Sequence, residues 1–111
     1  MEYFISESER KASHSTCYFE FQQGKFRWKH WLDNSLYLHA DIFEAMRLFE
    51  LFSKSIPDFN NYGPTNVDKP QWDAIVKNSL ENENWRAIIA ELTPWVDACF
   101  EKHQYFAICG I

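Results

Sequence analysis

The amino-acid sequence predicts an α+β fold, in which an antiparallel β-meander and a C-terminal strand pack against a central helix and further C-terminal helices. Apolar and polar residues alternate between positions 15 and 32, as expected for strands that bury one face. Apolar residues then recur every three or four positions from Ile42 onwards, which is the spacing of an amphipathic helix. The segment from Tyr105 to Cys109 is rich in strand-forming residues, so a further strand is expected there.

The first half of the chain is predicted to form two β-hairpins in series, with strands at residues 15–22, 25–32 and 36–39. Gln23-Gly24 has the composition of a two-residue hairpin turn. With that turn, Phe19 lies opposite Trp28 on an aromatic face, and the charged residues lie on the other face. The aromatic face is therefore expected to be core. Residues 3–5 could form a short edge strand, whereas the polar residues 6–15 predict a surface loop or flexible arm.

A central helix is predicted from Asp41 to Ile56, because its apolar residues share one broad face and Pro57 ends it. This helix is expected to lie across the aromatic face of the sheet. The segment from Asp58 to Pro70 is predicted to be a loop of about a dozen residues, and loops of that length are more often functional than shorter ones.

Two further helices are predicted after this loop. Asp68 and Asn82 each precede a segment with helical apolar spacing, and both residue types are good N-caps. Thr93-Pro94 then either begins another helix or lies at a kink within one long helix.

The composition indicates one domain spanning residues 1–111. Aromatic residues make up 18% of the chain, and it has only three Gly and four Pro. A chain of this length can bury a core without disulfides or a metal ion. Its three cysteines show no CxxC spacing and no secretory signal is recognised, so a cytoplasmic location with reduced thiols is expected. No apolar run is long enough to span a bilayer, and no membrane partner is expected.

One combination of residues contains the ligands of a Cys2His2 zinc site. Cys17 and His30 would face each other across the predicted hairpin, and Cys99 and His103 are one helical turn apart. Structural zinc sites in short chains usually have tighter ligand pairs in loops. Buried thiols and partly satisfied histidines are therefore the preferred interpretation, and we expect neither a metal ion nor a cofactor.

Known catalytic patterns are absent from the sequence. A Cys17/His30 nucleophile pair would lie on the core face without a third orienting residue, and Ser13-His14-Ser15 has no nucleophile elbow. With three glycines in all, there is no phosphate-binding loop. The protein is therefore not expected to be an enzyme.

Residues 25–31 alternate basic and aromatic side chains, as in some platforms for single-stranded nucleic acid. In a strand, however, the aromatic and basic side chains would point to opposite faces. The formal net charge of −5 also repels phosphate. Nucleic acid is accordingly not expected as a partner.

The helical half of the chain carries most of the candidate partner-binding residues. Acidic residues there have few basic neighbours, so this half could attract a basic protein. The predicted partner-binding residues are Asp58, Tyr62, Asp68, Asp73, Glu81 and Glu83. The alternative is that the partner docks on the back of the sheet through Tyr18, Arg27 and Trp31. Tyr18 and Trp31 would in that case be interface anchors, whereas otherwise another segment covers them.

Taken together, these features give the chain a family resemblance. An aromatic hairpin (Tyr18-Phe19-Glu20-Phe21 and Phe26-Arg27-Trp28) precedes a helix of the type Asp41-Ile42-Phe43-Glu44-Ala45-Met46, an acidic helical half and the Tyr105 to Cys109 strand. The chain resembles the small immunity proteins of bacterial contact-dependent growth inhibition and related polymorphic toxin systems. The likeness is one of architecture and covers the whole chain.

The resemblance implies a non-catalytic inhibitor that binds one cognate toxin C-terminal domain, often a nuclease, and blocks its active site. Such a partner would be a basic protein. The alternative function is that of a small-molecule-binding or regulatory α+β domain, with a pocket between the sheet and the central helix.

Overall fold

Five strands form one antiparallel sheet in the computed structural model, which describes residues 1–111. In chain order they are β1 (Phe4–Ile5), β2 (Tyr18–Gln23), β3 (Leu36–His39), β4 (Pro64–Asp68) and β5 (Tyr105–Cys109). Across the sheet the order is β1-β3-β2-β5-β4, so β2 is the central strand. The predicted strand from Tyr105 to Cys109 is confirmed, and it lies in the sheet interior between β2 and β4.

Five helices complete the α+β fold, and the predicted class is confirmed. They are α1 (Glu7–Ser13), α2 (Ala40–Ala45), α3 (Leu48–Ser55), α4 (Lys69–Ser79) and α5 (Glu83–Phe100). The predicted caps are also confirmed, since the side chain of Asp68 accepts from the Gln71 amide and that of Asn82 from the Asn84 amide. No new helix begins at Thr93, because α5 continues through Pro94.

The predicted second strand, residues 25–32, is wrong. In its place β3 pairs with one edge of β2, with Phe19 opposite Leu38, and β5 pairs with the other edge. A strand has only two edges, so none is left for residues 25–32. Residues 24–35, which we call the Trp28 loop, are irregular and run between β2 and β3. Trp28 was expected in the core but is 86% exposed.

The predicted single central helix is also wrong in one respect. It is divided into α2 and α3 at Arg47, which has the left-handed backbone conformation with a φ of 55°. The indole of Trp85 donates a hydrogen bond to the carbonyl of Met46 at 2.7 Å, which occupies that acceptor at the break. Apolar periodicity continues across this point, so the break leaves no signal in the pattern of apolar residues.

Two segments that were predicted as loops contain regular structure. Within residues 6–15, Ser6 and Glu9 form a capping box that starts α1. Within the predicted loop from Asp58 to Pro70, β4 pairs with β5, placing Val67 opposite Phe106. Ser-x-x-Glu is a recognisable sequence pattern for the start of a helix. The sequence therefore contained a local signal for α1, but the polar composition of residues 6–15 led to the prediction of a loop.

Aromatic side chains fill the layer between the sheet and helices α2 to α5. Phe19 stacks on Phe43 of α2 with ring centroids 3.8 Å apart, and Phe21 contacts Phe52 of α3 at 6.4 Å. The central helical region therefore lies across the aromatic sheet face, as predicted. Helix α1 and the Trp28 loop cover the opposite face, where Arg10 lies over Tyr37.

Candidate functional site

Two of the six predicted partner-binding residues are paired with lysines. Asp73 makes an ion pair with Lys69 at 2.5 Å, and Glu81 makes one with Lys54 at 2.6 Å. Both pairs are solvent-exposed, so each lysine offsets part of the expected negative field.

Asp68 is used within the fold. Its carboxylate caps α4 by accepting from the Gln71 amide at 2.9 Å. Asp58 and Glu83 are exposed and make no ion pair, and Tyr62 is 82% exposed. Only Asp58, Tyr62 and Glu83 are therefore free to meet a partner without breaking an existing contact.

Tyr62 borders a concave site between the sheet and helices α2 and α3, which we call the Tyr62 pocket. Its cavity has a volume of about 460 Å³. Buried Phe19 and Phe43 form part of its lining, together with the exposed side chains of Phe49 and Tyr62. It combines an aromatic lining with solvent access, which is the usual composition of a binding cleft.

Carboxylates lie beside this aromatic lining. Glu44 and Glu50 both line the Tyr62 pocket, and the only cation there is Arg47, which pairs with Glu50. Arg47 occupies the left-handed position at the α2–α3 break. Arg47 is thus both the residue at which the central helix divides and the one basic residue in the pocket lining.

A second exposed surface is the Trp28 loop. Its basic residues Lys25, Arg27 and Lys29 are exposed around Trp28, which has a φ of 64°. Positive φ is rare for a bulky residue and requires support from its surroundings. That support includes hydrogen bonds from the Phe26 amide to Asn66 at 2.9 Å and from the Gln22 side chain to the Lys29 carbonyl at 2.7 Å.

Trp31 is not an exposed anchor. The guanidinium carbon of Arg10 lies 4.1 Å from its ring centroid, and the ring stacks on Tyr37 at 5.8 Å. Of the two alternatives for Trp31, cover by another segment is the one observed, and Arg10 of α1 supplies that cover. The interface alternative of Tyr18, Arg27 and Trp31 thus loses its main aromatic anchor, and Trp28 is the exposed indole on this side.

Beneath the Trp28 loop, Glu20 is a buried carboxylate with 2% exposure. It accepts from the amides of Trp31 and Leu32, both at 2.9 Å, and from the hydroxyls of Ser35 and Tyr37 at 2.7 and 3.2 Å. Burial, followed by the charge of Glu20, raises the pKa of the Tyr37 hydroxyl, which keeps it protonated as a donor. Glu20 thereby fastens the loop to the sheet.

The four residues of the hypothetical Cys2His2 site are not brought together. The structure contains one cluster of three side chains of the types that ligate metals, and it joins His30 to Glu20 and Cys109, not to Cys17. Cys99 is buried and its thiol donates to the Tyr105 carbonyl at 3.4 Å. The sequence contains no spacing signal for the observed cluster, because its members lie on β2, the Trp28 loop and β5.

We expect the three thiols to differ sharply in reactivity. Cys17 is exposed, whereas burial raises the pKa of Cys99 and, with the nearby Glu20, that of Cys109 to about 12. A thiol-specific disulfide reagent at neutral pH should therefore modify one thiol quickly in the folded protein and all three after unfolding. Cys17→Ser should remove the fast phase, and two fast thiols in the native protein would contradict the burial of the others.

The structure thus has three candidate binding sites: the Tyr62 pocket, the Trp28 loop, and the cluster of Glu20, His30 and Cys109. None of the five helices has both the length and the apolar character required to cross a bilayer. Comparisons of the chain with protein-family models, with curated proteins and with solved structures found no match.

Proposed function

We propose that this protein is a non-catalytic inhibitor that binds and neutralises a basic toxin domain, in the manner of the immunity proteins that it resembles. The toxin domain would be a nuclease, and the inhibitor would act in the cytoplasm, where its three free cysteines stay reduced. The single observation that carries this proposal is the Tyr62 pocket, in which exposed aromatic side chains stand beside carboxylates.

Exposed aromatic side chains around a concavity favour a protein partner. Phe49 is 48% exposed although its ring packs on Phe59 with centroids 6.0 Å apart, and Tyr62 extends into solvent. Large aromatic groups of this kind contribute much of the binding energy in protein interfaces, because they bury a large area and lose little side-chain entropy. A partner that covers Phe49 and Tyr62 would gain that energy.

The charges around the pocket favour a basic partner. Glu44 and Glu50 line the pocket with one arginine, Arg47, which pairs with Glu50, so Glu44 is the carboxylate left unpaired there. Asp58 directly precedes Phe59, which packs on Phe49. The whole chain has a formal charge of −5, so its long-range field also attracts a basic protein. We therefore propose an interface at Asp58, Tyr62 and the α2–α3 region, in which Asp68, Asp73 and Glu81 keep their contacts within the fold.

Co-purification from the native host tests the proposal. We expect a stoichiometric basic polypeptide, identified by mass spectrometry, that arrests growth when expressed alone and loses this effect when the present protein is co-expressed. Tyr62→Ala combined with Phe49→Ala should weaken the complex by about 30-fold or more, the size of a hot-spot loss. Trp28→Ala is the matched control, because it removes an equally exposed aromatic side chain elsewhere.

Charge reversal tests whether the partner binds at the Tyr62 pocket or at α4 and the start of α5. Reversing Asp73, Glu81 and Glu83 together should weaken binding less than the Tyr62 and Phe49 double variant, since two of these carboxylates already pair with lysines. If the triple variant abolishes binding and the aromatic variant does not, the partner binds at α4 and the start of α5. If only Trp28→Ala abolishes binding, it binds at the Trp28 loop.

The Tyr62 pocket also favours a second function, the binding of a small molecule. Its volume of about 460 Å³ lies within the roughly 300–1,000 Å³ of typical ligand sites. It also lies between the sheet and the central helical region, which is the location that this alternative function requires. Native mass spectrometry of the purified protein separates the two functions, because a bound metabolite adds a few hundred daltons and a toxin domain adds a polypeptide.

A further inference from the structure

We propose that Glu20, His30 and Cys109 form a binding site for a divalent transition-metal ion of the zinc class. Their ligand atoms, a carboxylate oxygen, an imidazole nitrogen and a thiol sulfur, all lie within 4.8 Å of one another. Three protein ligands of these types are typical of zinc sites that keep one position open. The site shares only His30 with the ligands considered from the sequence, and it is independent of the proposed function.

These three groups converge without bonding to one another. His30 Nδ1 is 3.7 Å from Glu20 Oε1, which is too long for a hydrogen bond. The thiol of Cys109 is 2% exposed and, in contrast to that of Cys99, has no hydrogen-bond partner. An ordinary buried polar cluster would be closed by direct hydrogen bonds. A space bounded by ligand atoms that make no hydrogen bonds to one another instead suits an ion that contacts all of them.

The distances suit an ion after a small adjustment. Zinc bonds of about 2.0–2.3 Å bring tetrahedral ligand atoms to roughly 3.3–3.7 Å from one another. The widest separation within the cluster is below 4.8 Å, so one side chain must shift by about an ångström. His30 can do this, because its side chain is 52% exposed and belongs to a loop, whereas Glu20 and Cys109 lie on strands.

Glu20 is already oriented by neighbouring groups. Its Oε2 accepts from the Leu32 amide and from the hydroxyls of Ser35 and Tyr37, whereas its Oε1 accepts only from the Trp31 amide. A carboxylate oxygen has two acceptor sites, so Oε1, which lies 3.7 Å from His30 Nδ1, retains one of them. Outer hydrogen bonds of this kind orient a metal-binding side chain before the ion arrives.

Access and charge balance are consistent with the site. A cavity of about 280 Å³ lies beside the cluster and is lined by all three side chains. No Lys or Arg makes an ion pair with Glu20, since the nearby Arg10 pairs with Glu7. Binding of a divalent ion would release the Cys109 thiol proton to solvent, so that the ion, the thiolate and the carboxylate sum to zero charge. The ion would also tie the Trp28 loop to β2 and β5.

Titration of the metal-free protein with Co²⁺ and Zn²⁺ tests this site. We expect saturation at about one ion per chain, with a thiolate-to-cobalt charge-transfer band in the near ultraviolet and the visible absorption of a tetrahedral site. Cys109→Ser should abolish the charge-transfer band, and His30→Ala should weaken binding by at least about tenfold. Cys99→Ser and His103→Ala are the matched controls and should bind like the unmodified protein.

Far-ultraviolet circular dichroism establishes that each variant is folded before titration. His30 is exposed, so His30→Ala keeps the test valid even if Cys109→Ser disturbs β5. The proposal is overturned if the unmodified protein shows no saturation near one ion per chain, if Cys109→Ser retains the band, or if Cys17→Ser abolishes it. None of these results depends on the toxin domain, so failure here leaves the proposed function unaffected.

Discussion

Replacing Glu20 with alanine is expected to lower the free energy of unfolding by about 4 kcal/mol, because it leaves several buried or partly buried donors without their acceptor. Two of these donors are backbone amides of the Trp28 loop, at Trp31 and Leu32. Side-chain hydroxyls can rotate to other acceptors, but the partly buried backbone amides of Trp31 and Leu32 cannot. Urea unfolding measures the loss, and trypsin should cleave after Lys25, Arg27 or Lys29 faster in the variant than in the unmodified protein.

Glu91 provides the matched control for Glu20. Its carboxylate also accepts from backbone amides, those of Glu2, Tyr3 and Phe4, at 2.6 to 2.9 Å. Glu91 is only partly buried, so water can replace the carboxylate and Glu91→Ala should cost about 1–2 kcal/mol. Equal losses for the two variants, or unchanged proteolysis of the Trp28 loop in Glu20→Ala, would show that Glu20 does not hold the loop.

Replacing Phe106 with alanine is expected to cost about 3–5 kcal/mol of stability, the usual range for removing a buried phenylalanine. Phe106 is fully buried on β5, and its ring meets Trp72, Trp95 and Phe100 at centroid distances of 5.8 to 6.0 Å. These three rings belong to α4 and α5, so the variant should loosen both helices on the sheet. Thermal and urea unfolding measure the effect.

The control for Phe106 is Trp28. Since Trp28 is almost fully exposed, Trp28→Ala should change stability by no more than about 0.5 kcal/mol. The sequence pattern predicted the opposite, with Trp28 in the core of a hairpin. A loss of several kcal/mol in Trp28→Ala would therefore support the hairpin and contradict the loop.

Local signals in the sequence determined the parts of the fold that depend on neighbouring residues. Asp68 and Asn82 cap their helices through hydrogen bonds to amides two or three residues away, so residue type and position sufficed to place them. The sequence also predicted the strand from Tyr105 to Cys109 and the aromatic face of β2. Burial in a sheet selects apolar side chains, whichever strand is the partner.

Competition between segments that are distant in sequence, for the two edges of β2, decided the remaining strand pairing. Residues 25–32 have the alternation of a strand, but β3 and β5 occupy both edges of β2, and only the tertiary structure determines which segments pair there. Of the candidate binding residues, Asp58 and Tyr62 could be predicted from the sequence as exposed loop positions. The cluster of Glu20, His30 and Cys109 was not, because chain segments far apart in sequence must fold together before their ligand atoms meet.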